Sequence, residues 1–202
     1  MTIGAITPPT PGPSTAAGAP PRSDATPSTI RLAAIVAAAL TAAALLIAVV
    51  VRVALAGSAR RWLGYRFPGV PADLSTAAWI LAHNASALSG VLGLLMIAQL
   101  AARSPEPARA QRMLQSAGEL ALAGTIAANL LVIGAAIGGY GTRMLVAILP
   151  HGPVELAAYS LAIALYVTGR RRPLPALQMA GVACASVALL ALAAALETWA
   201  SV

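Results

Sequence analysis

Apolar residues in this chain fall into five long runs, at positions 32–51, 77–102, 120–140, 144–168 and 176–196. About 18 to 20 apolar residues suffice to carry a helix across a bilayer. The pattern therefore predicts an all-α fold, a polytopic transmembrane helix bundle of about five spans. The second run is long enough to tilt, or to begin in the interface at Trp79. The fourth run is different. Pro150, His151, Gly152 and Pro153 interrupt it. From Val154 to Thr168 a helix covers only about 22 Å at about 1.5 Å per residue, short of a hydrocarbon core of about 30 Å. Residues 144–149 are thus expected in the membrane too, as a half-helix or re-entrant piece. Short spans broken by Pro and Gly mark sites in membrane proteins.

Ahead of the runs, residues 1–29 are rich in Pro, Thr, Ala and Ser and have no hydrophobic period. Such a segment buries too little surface to offset its ordering entropy. It is expected to be a disordered cytoplasmic tail, with residues 30–202 forming the transmembrane domain. Ala54-Leu55-Ala56 resembles a signal-peptide cleavage site, but the run before it is too long for a signal sequence. An uncleaved first span is the better reading.

Composition sharpens this. Of 202 residues, 59% are hydrophobic and 9% charged, against about 25% charged in soluble domains. The net charge of +7 comes wholly from arginine, since there is no lysine. No basic surface helix or aromatic platform accompanies it, so nucleic acid is not an expected partner; the lipid bilayer is. Arginine instead sets orientation. With the N-terminus inside, Arg22, Arg31, Arg103, Arg109, Arg112, Arg170, Arg171 and Arg172 face the cytoplasm, and Arg52, Arg60, Arg61, Arg66 and Arg143 face outward. The bias predicts N-in and C-out. The heavy use of Ala, Arg, Gly and Pro suggests a GC-rich, bacterial genome.

Polar residues within the runs are the candidates for chemistry, because they are costly in hydrocarbon. His83 and Asn84 lie about two turns into the second span, Asn129 mid-way along the third, His151 and Glu155 at the start of the fourth, and Glu197 at the end of the fifth. All but Asn129 fall in one half of the membrane. They are expected, with Asn129, to form one polar intramembrane cluster. Glu155 also has a structural reading. If Pro153 takes the first helical position, Glu155 takes the third, where its carboxylate can cap free N–H groups. His and carboxylate are metal ligands, but two are too few, and no metal is expected. Cys184 is alone and has no charged neighbour, and no nucleophile elbow is present; no catalytic residue or cofactor is expected. Gly134 and Gly138 form a Gly-x-x-x-Gly pattern that lets helices approach closely. Internal packing is the preferred reading over dimerisation.

Taken together these residues resemble the stage II sporulation protein M family. Its pattern of Pro-His-Gly, two residues and Glu, followed by Ala and an apolar helix, is similar to Pro150-His151-Gly152-Pro153-Val154-Glu155-Leu156-Ala157-Ala158. Asn84 with Gly90, Asn129 with Gly134 and Gly138, and Glu197 match further family positions. The similarity covers roughly residues 77–202. Pro153 stands where an apolar residue is common, and the Pro-rich N-terminus is not a family feature. The resemblance implies a multi-pass protein of the bacterial plasma (inner) membrane. It implies a non-enzymatic scaffold or assembly factor, linked to peptidoglycan remodelling through cell-wall hydrolase partners. The alternative that the residues leave open is a small transporter or channel subunit with its site at the broken fourth span. An intramembrane enzyme ranks below both.

Overall fold

The computed structural model describes residues 25–65, 67, 71–104 and 109–200. Most of the expected tail therefore lies outside the described residues. The described residues are helical throughout, apart from short links, with no strand among them. The helices are α1 (Ala25–Val50), α2 (Ala56–Leu63), α3 (Leu74–Arg103), α4 (Arg109–Tyr140), α5 (Thr142–Ile148), α6 (Gly152–Gly169) and α7 (Ala176–Ala200). Four stretches are long and apolar enough to cross a membrane, and the bent pair α5–α6 makes a fifth.

Helix boundaries differ from the apolar runs in instructive ways. Ala25 to Thr29 is helical, and Thr29 is buried. The first helix does not stop at residue 51. A π-helical turn, Val51–Leu55, joins α1 to α2. Arg52, Arg60 and Arg61 end the apolar run, but Ala, Leu and Arg are all strong helix formers. The helix ends only at Gly64, whose φ of 61° suits glycine and whose N–H bonds to the Arg60 carbonyl at 3.0 Å. Similarly α3 begins at Leu74, because Asp73 caps it: one carboxylate oxygen accepts from the Thr76 N–H at 2.8 Å and from the Ser75 hydroxyl at 2.6 Å. Those bonds to the ionised form hold the Asp73 carboxyl below its usual range.

The break in the fourth run is present, with α5 and α6 bent by 63°. A Cβ on Gly152 would sit 2.5 Å from Ile148 Cγ2, so the turn needs glycine there. Pro153 follows in the first turn of α6, where no donor is required. Because α6 begins at Gly152 and runs to Gly169, it reaches about 27 Å at 1.5 Å per residue, almost the hydrocarbon thickness by itself.

At the centre of the bundle, α6 packs against α1, α3 and α7. Ala158, Ala162, Ala164 and Leu165 are fully buried. Alanine at these positions lets three neighbours approach one helix closely. Leu88, Leu94 and Leu95 of α3 and Leu190 of α7 complete the core around them.

At the end of α6 nearer Arg170, one side chain closes the bundle. Gln99 of α3 is 1% exposed. Its amide N–H groups donate to the carbonyls of Gly169 (2.6 Å) and Arg172 (3.0 Å), and its oxygen accepts from the Leu174 N–H at 2.8 Å. It thus satisfies the C-terminus of α6 and the turn into α7 together.

The helix α4 is held differently. Its buried residues are Gly134, Ala136, Gly138 and Gly139, all in its last two turns. There it meets α1: a Cβ on Gly134 would lie 2.6 Å from Ile47 Cγ2, and one on Gly138 would lie 2.5 Å from the Ala48 carbonyl oxygen. Both glycines thus pack within the chain. Toward its other end, α4 leaves an open groove against α3 of about 450 Å³.

Candidate functional site: a polar cluster between α3, α6 and α7

Three helices bring polar groups together near the start of α6. Asn84 on α3 donates from Nδ2 to Glu155 Oε1 on α6 at 2.5 Å. One turn along α6, the Tyr159 hydroxyl donates to the Asn84 carbonyl at 3.0 Å. Side chain and backbone of one residue are therefore both tied to α6. Glu197, half-buried on the last turn of α7, stands at the same end of the bundle.

Local structure explains the geometry. His151 occupies the N-cap position of α6, and its carbonyl accepts from Val154 N (3.0 Å) and Glu155 N (3.1 Å). The helix thus starts one residue earlier than the Pro153 rule suggests, and Glu155 takes the fourth position. Its own N–H is already bonded within the turn. The capping role expected for Glu155 is replaced by the bond across to α3. The His151 ring does not cap either; its Nδ1 is buried without a hydrogen-bond partner.

The other expected members lie elsewhere. His83 is exposed on α3 and stacks on Trp79, ring centroids 5.6 Å apart at 12°. On a helix, neighbouring residues point about 100° apart, so Asn84 faces the bundle and His83 faces away from it. Asn129 is exposed, and its amide donates to the Thr125 carbonyl of its own helix at 2.9 Å. It is at a suitable depth but on the wrong face of α4. The hydrogen-bonded cluster is accordingly Asn84, Glu155 and Tyr159, with Glu197 at the same end of the bundle and His151 one turn before Glu155.

A second polar group escaped sequence reading. Glu119 on α4 accepts from the Tyr166 hydroxyl of α6 and lies 3.5 Å from the Arg170 guanidinium. Both Glu119 and Arg170 are about one-third exposed, so the pair itself contributes little. Its value is positional, since it joins α4 to α6 at the end opposite Glu155. The signal available in the sequence was the match of Glu119 and Arg170 at one membrane surface under the N-in topology.

Fold and site together define an all-helical protein of multi-pass membrane type, cross-tied by polar side chains at both ends of its central helix. Comparison with protein-family models, with curated proteins and with solved structures finds no match.

Proposed function

We propose that the protein is a non-enzymatic integral membrane scaffold or assembly factor of the bacterial plasma membrane. In this it is similar to stage II sporulation protein M, acting with cell-wall hydrolases in peptidoglycan remodelling. The observation that carries the reading is the bond from Asn84 to Glu155. The carboxylate of the Pro-His-Gly-x-x-Glu motif is spent on holding α6 against α3, and the motif's glycine and prolines on shaping the turn before it. These residues fix a shape for partners to recognise. The test is purification of the tagged full-length protein from native membranes, with co-purifying proteins identified by mass spectrometry. Enrichment of wall hydrolases, lost in the Asn84→Leu variant, is the expected result. An ATPase as the main partner, or an unchanged partner set in Asn84→Leu, would overturn it.

A second reading has one observation in its favour. Glu155 and Glu197 lie at the same end of the bundle beside a bent span, and intramembrane carboxylates at such a break are what small transporters use to couple ions. Proteoliposomes would decide between them. Solute or proton flux that Glu155→Gln abolishes favours transport, whereas the scaffold reading expects no flux from either protein.

A further inference from the structure

Where α4 turns into α5, two arginines from different parts of the chain converge, and three uncommon backbone geometries place them. Arg52 rides on the π-helical turn Val51–Leu55; such turns are rare and recur at functional sites. Gly141, between α4 and α5, has a φ of 63°, in the region that favours glycine. Phe67 has a φ of 51°, uncommon for a bulky residue. Strained positions of this kind gather where a site needs them.

These three positions meet. Arg52 Nη1 lies 3.6 Å from where a Cβ on Gly141 would stand. Two residues further on, the Arg143 guanidinium carbon sits 4.5 Å over the centre of the Phe67 ring. Phe67 packs edge to face against Tyr140, with centroids 5.2 Å apart. Tyr140 is fixed in turn: its hydroxyl accepts from the Tyr65 N–H at 2.9 Å and donates to the Arg60 carbonyl at 3.2 Å.

What the two arginines lack is an anion. Among the described residues the one ion pair joins Arg170 to Glu119, at the other end of α6. The Asp73 carboxylate is engaged by Ser75 and Thr76. Arg52 and Arg143 are exposed, and among the described residues neither guanidinium makes a hydrogen bond. A cation held over a ring face keeps its N–H donors. The planar fork of those donors matches phosphate, which it can bind with two parallel bonds. Exposed Trp62, Trp79 and Trp199 ring the same end of the bundle, and tryptophan in membrane proteins marks the level of the lipid headgroups.

We propose that Arg52 and Arg143 bind a phosphate group beside the α4–α5 turn. The tryptophan level favours the phosphate of an anionic lipid headgroup as its source, with inorganic phosphate as the other. The site uses none of the residues of the Asn84–Glu155–Tyr159 cluster and is independent of the function proposed above.

The test is calorimetric titration of the full-length protein in mild detergent with short-chain phosphatidic acid, short-chain phosphatidylcholine and inorganic phosphate. Phosphatidic acid should bind, and Arg52→Gln and Arg143→Gln should each weaken it about tenfold, the loss of one charge-assisted bond. Arg171→Gln, exposed at the opposite end of α6, should bind like the parent. Phosphatidylcholine, whose phosphate carries its own cation, should bind more weakly. Inorganic phosphate binding as tightly as phosphatidic acid assigns the site to free phosphate, and weaker binding assigns it to the lipid. A second measurement needs no variant. Phosphatidic acid should protect Arg52 and Arg143 of the unaltered protein from phenylglyoxal, read by mass spectrometry, and leave Arg171 reactive. No binding of either phosphate compound, equal binding of phosphatidylcholine, equal weakening by Arg171→Gln, or no protection of Arg52 and Arg143 would each overturn the proposal.

Discussion

Replacing Gln99 by leucine should destabilise the protein more than any other single polar-to-apolar change in the bundle. The volume is nearly conserved, so packing around Leu95, Gly169 and Leu174 changes little. What is lost is three hydrogen bonds, to the carbonyls of Gly169 and Arg172 and from the Leu174 N–H. Each contributes about 1 kcal/mol net, so about 3 kcal/mol is at stake. The buried backbone groups left without partners push the cost up rather than down. For a chain of this size about 1 kcal/mol moves Tm by about 2–4 °C, so the expected fall is about 6–12 °C. Thermal unfolding of the purified protein in mild detergent, followed by tryptophan fluorescence, reads this directly. Gln178→Leu is the matched control, because that side chain makes one long bond, 3.4 Å to the Thr29 hydroxyl, and should cost under about 2 °C. If Gln99→Leu falls no further than Gln178→Leu, Gln99 is not the clamp that the geometry describes.

Four other outcomes are expected. Gly138→Ala should destabilise by about 1–3 kcal/mol, since its methyl would meet the Ala48 carbonyl at 2.5 Å. Gly90→Ala, facing open space, should gain about 0.5–1 kcal/mol from helix propensity, and the same detergent melts compare them. Asp73 has a folded-state pKa below its usual 3.8. Its contribution to the start of α3 is complete above 3.8 and is lost as pH falls through the lower, folded value; hydrogen exchange at the Thr76 amide should accelerate only in that acid range, and an unchanged rate would contradict the capping geometry. Reporter fusions after Arg112 and at Val202 should read opposite sides of the membrane, cytoplasmic and outer respectively, and same-side readings would end the N-in, C-out topology.

The membrane helices were legible because hydrocarbon sorts residues by one property, and runs of that property mark the spans. Their ends were less so. Arginines truncate an apolar run without ending a helix, so α1 and α2 read as one span plus a loop, although Gly64 marks where the helix stops. The pairing of Asn84 with Glu155 followed from depth alone, as both lie at corresponding levels in adjacent runs. Depth does not give azimuth, which is why Asn129 and His83 were grouped with residues they do not touch. With α4 leaning on α1 through Gly134 and Gly138, Asn129 turns outward, and no feature of its own run announces this. Tyr159 and Tyr166 passed as apolar because most of each ring is apolar, while their hydroxyls supply ties to Asn84 and Glu119. Gln99 was hidden for the opposite reason: a single amide near the end of a span looks like an interfacial residue until α6 is seen to end against it.

The central place of α6 also sets a timetable. A chain leaves the ribosome from its N-terminus at roughly 5–20 residues per second, so α1, α3 and α4 enter the membrane seconds before the helix that α1 and α3 surround. Until then Ala98 and Leu88 face lipid or the insertion machinery, and the Asn84 amide lacks its carboxylate. The nascent protein must hold a vacant slot and receive its core from the late-made part of the chain. A chain that ends before Gly152 lacks Ala158, Ala162 and Leu165, and with them the packing partners of Leu88 and Ala98.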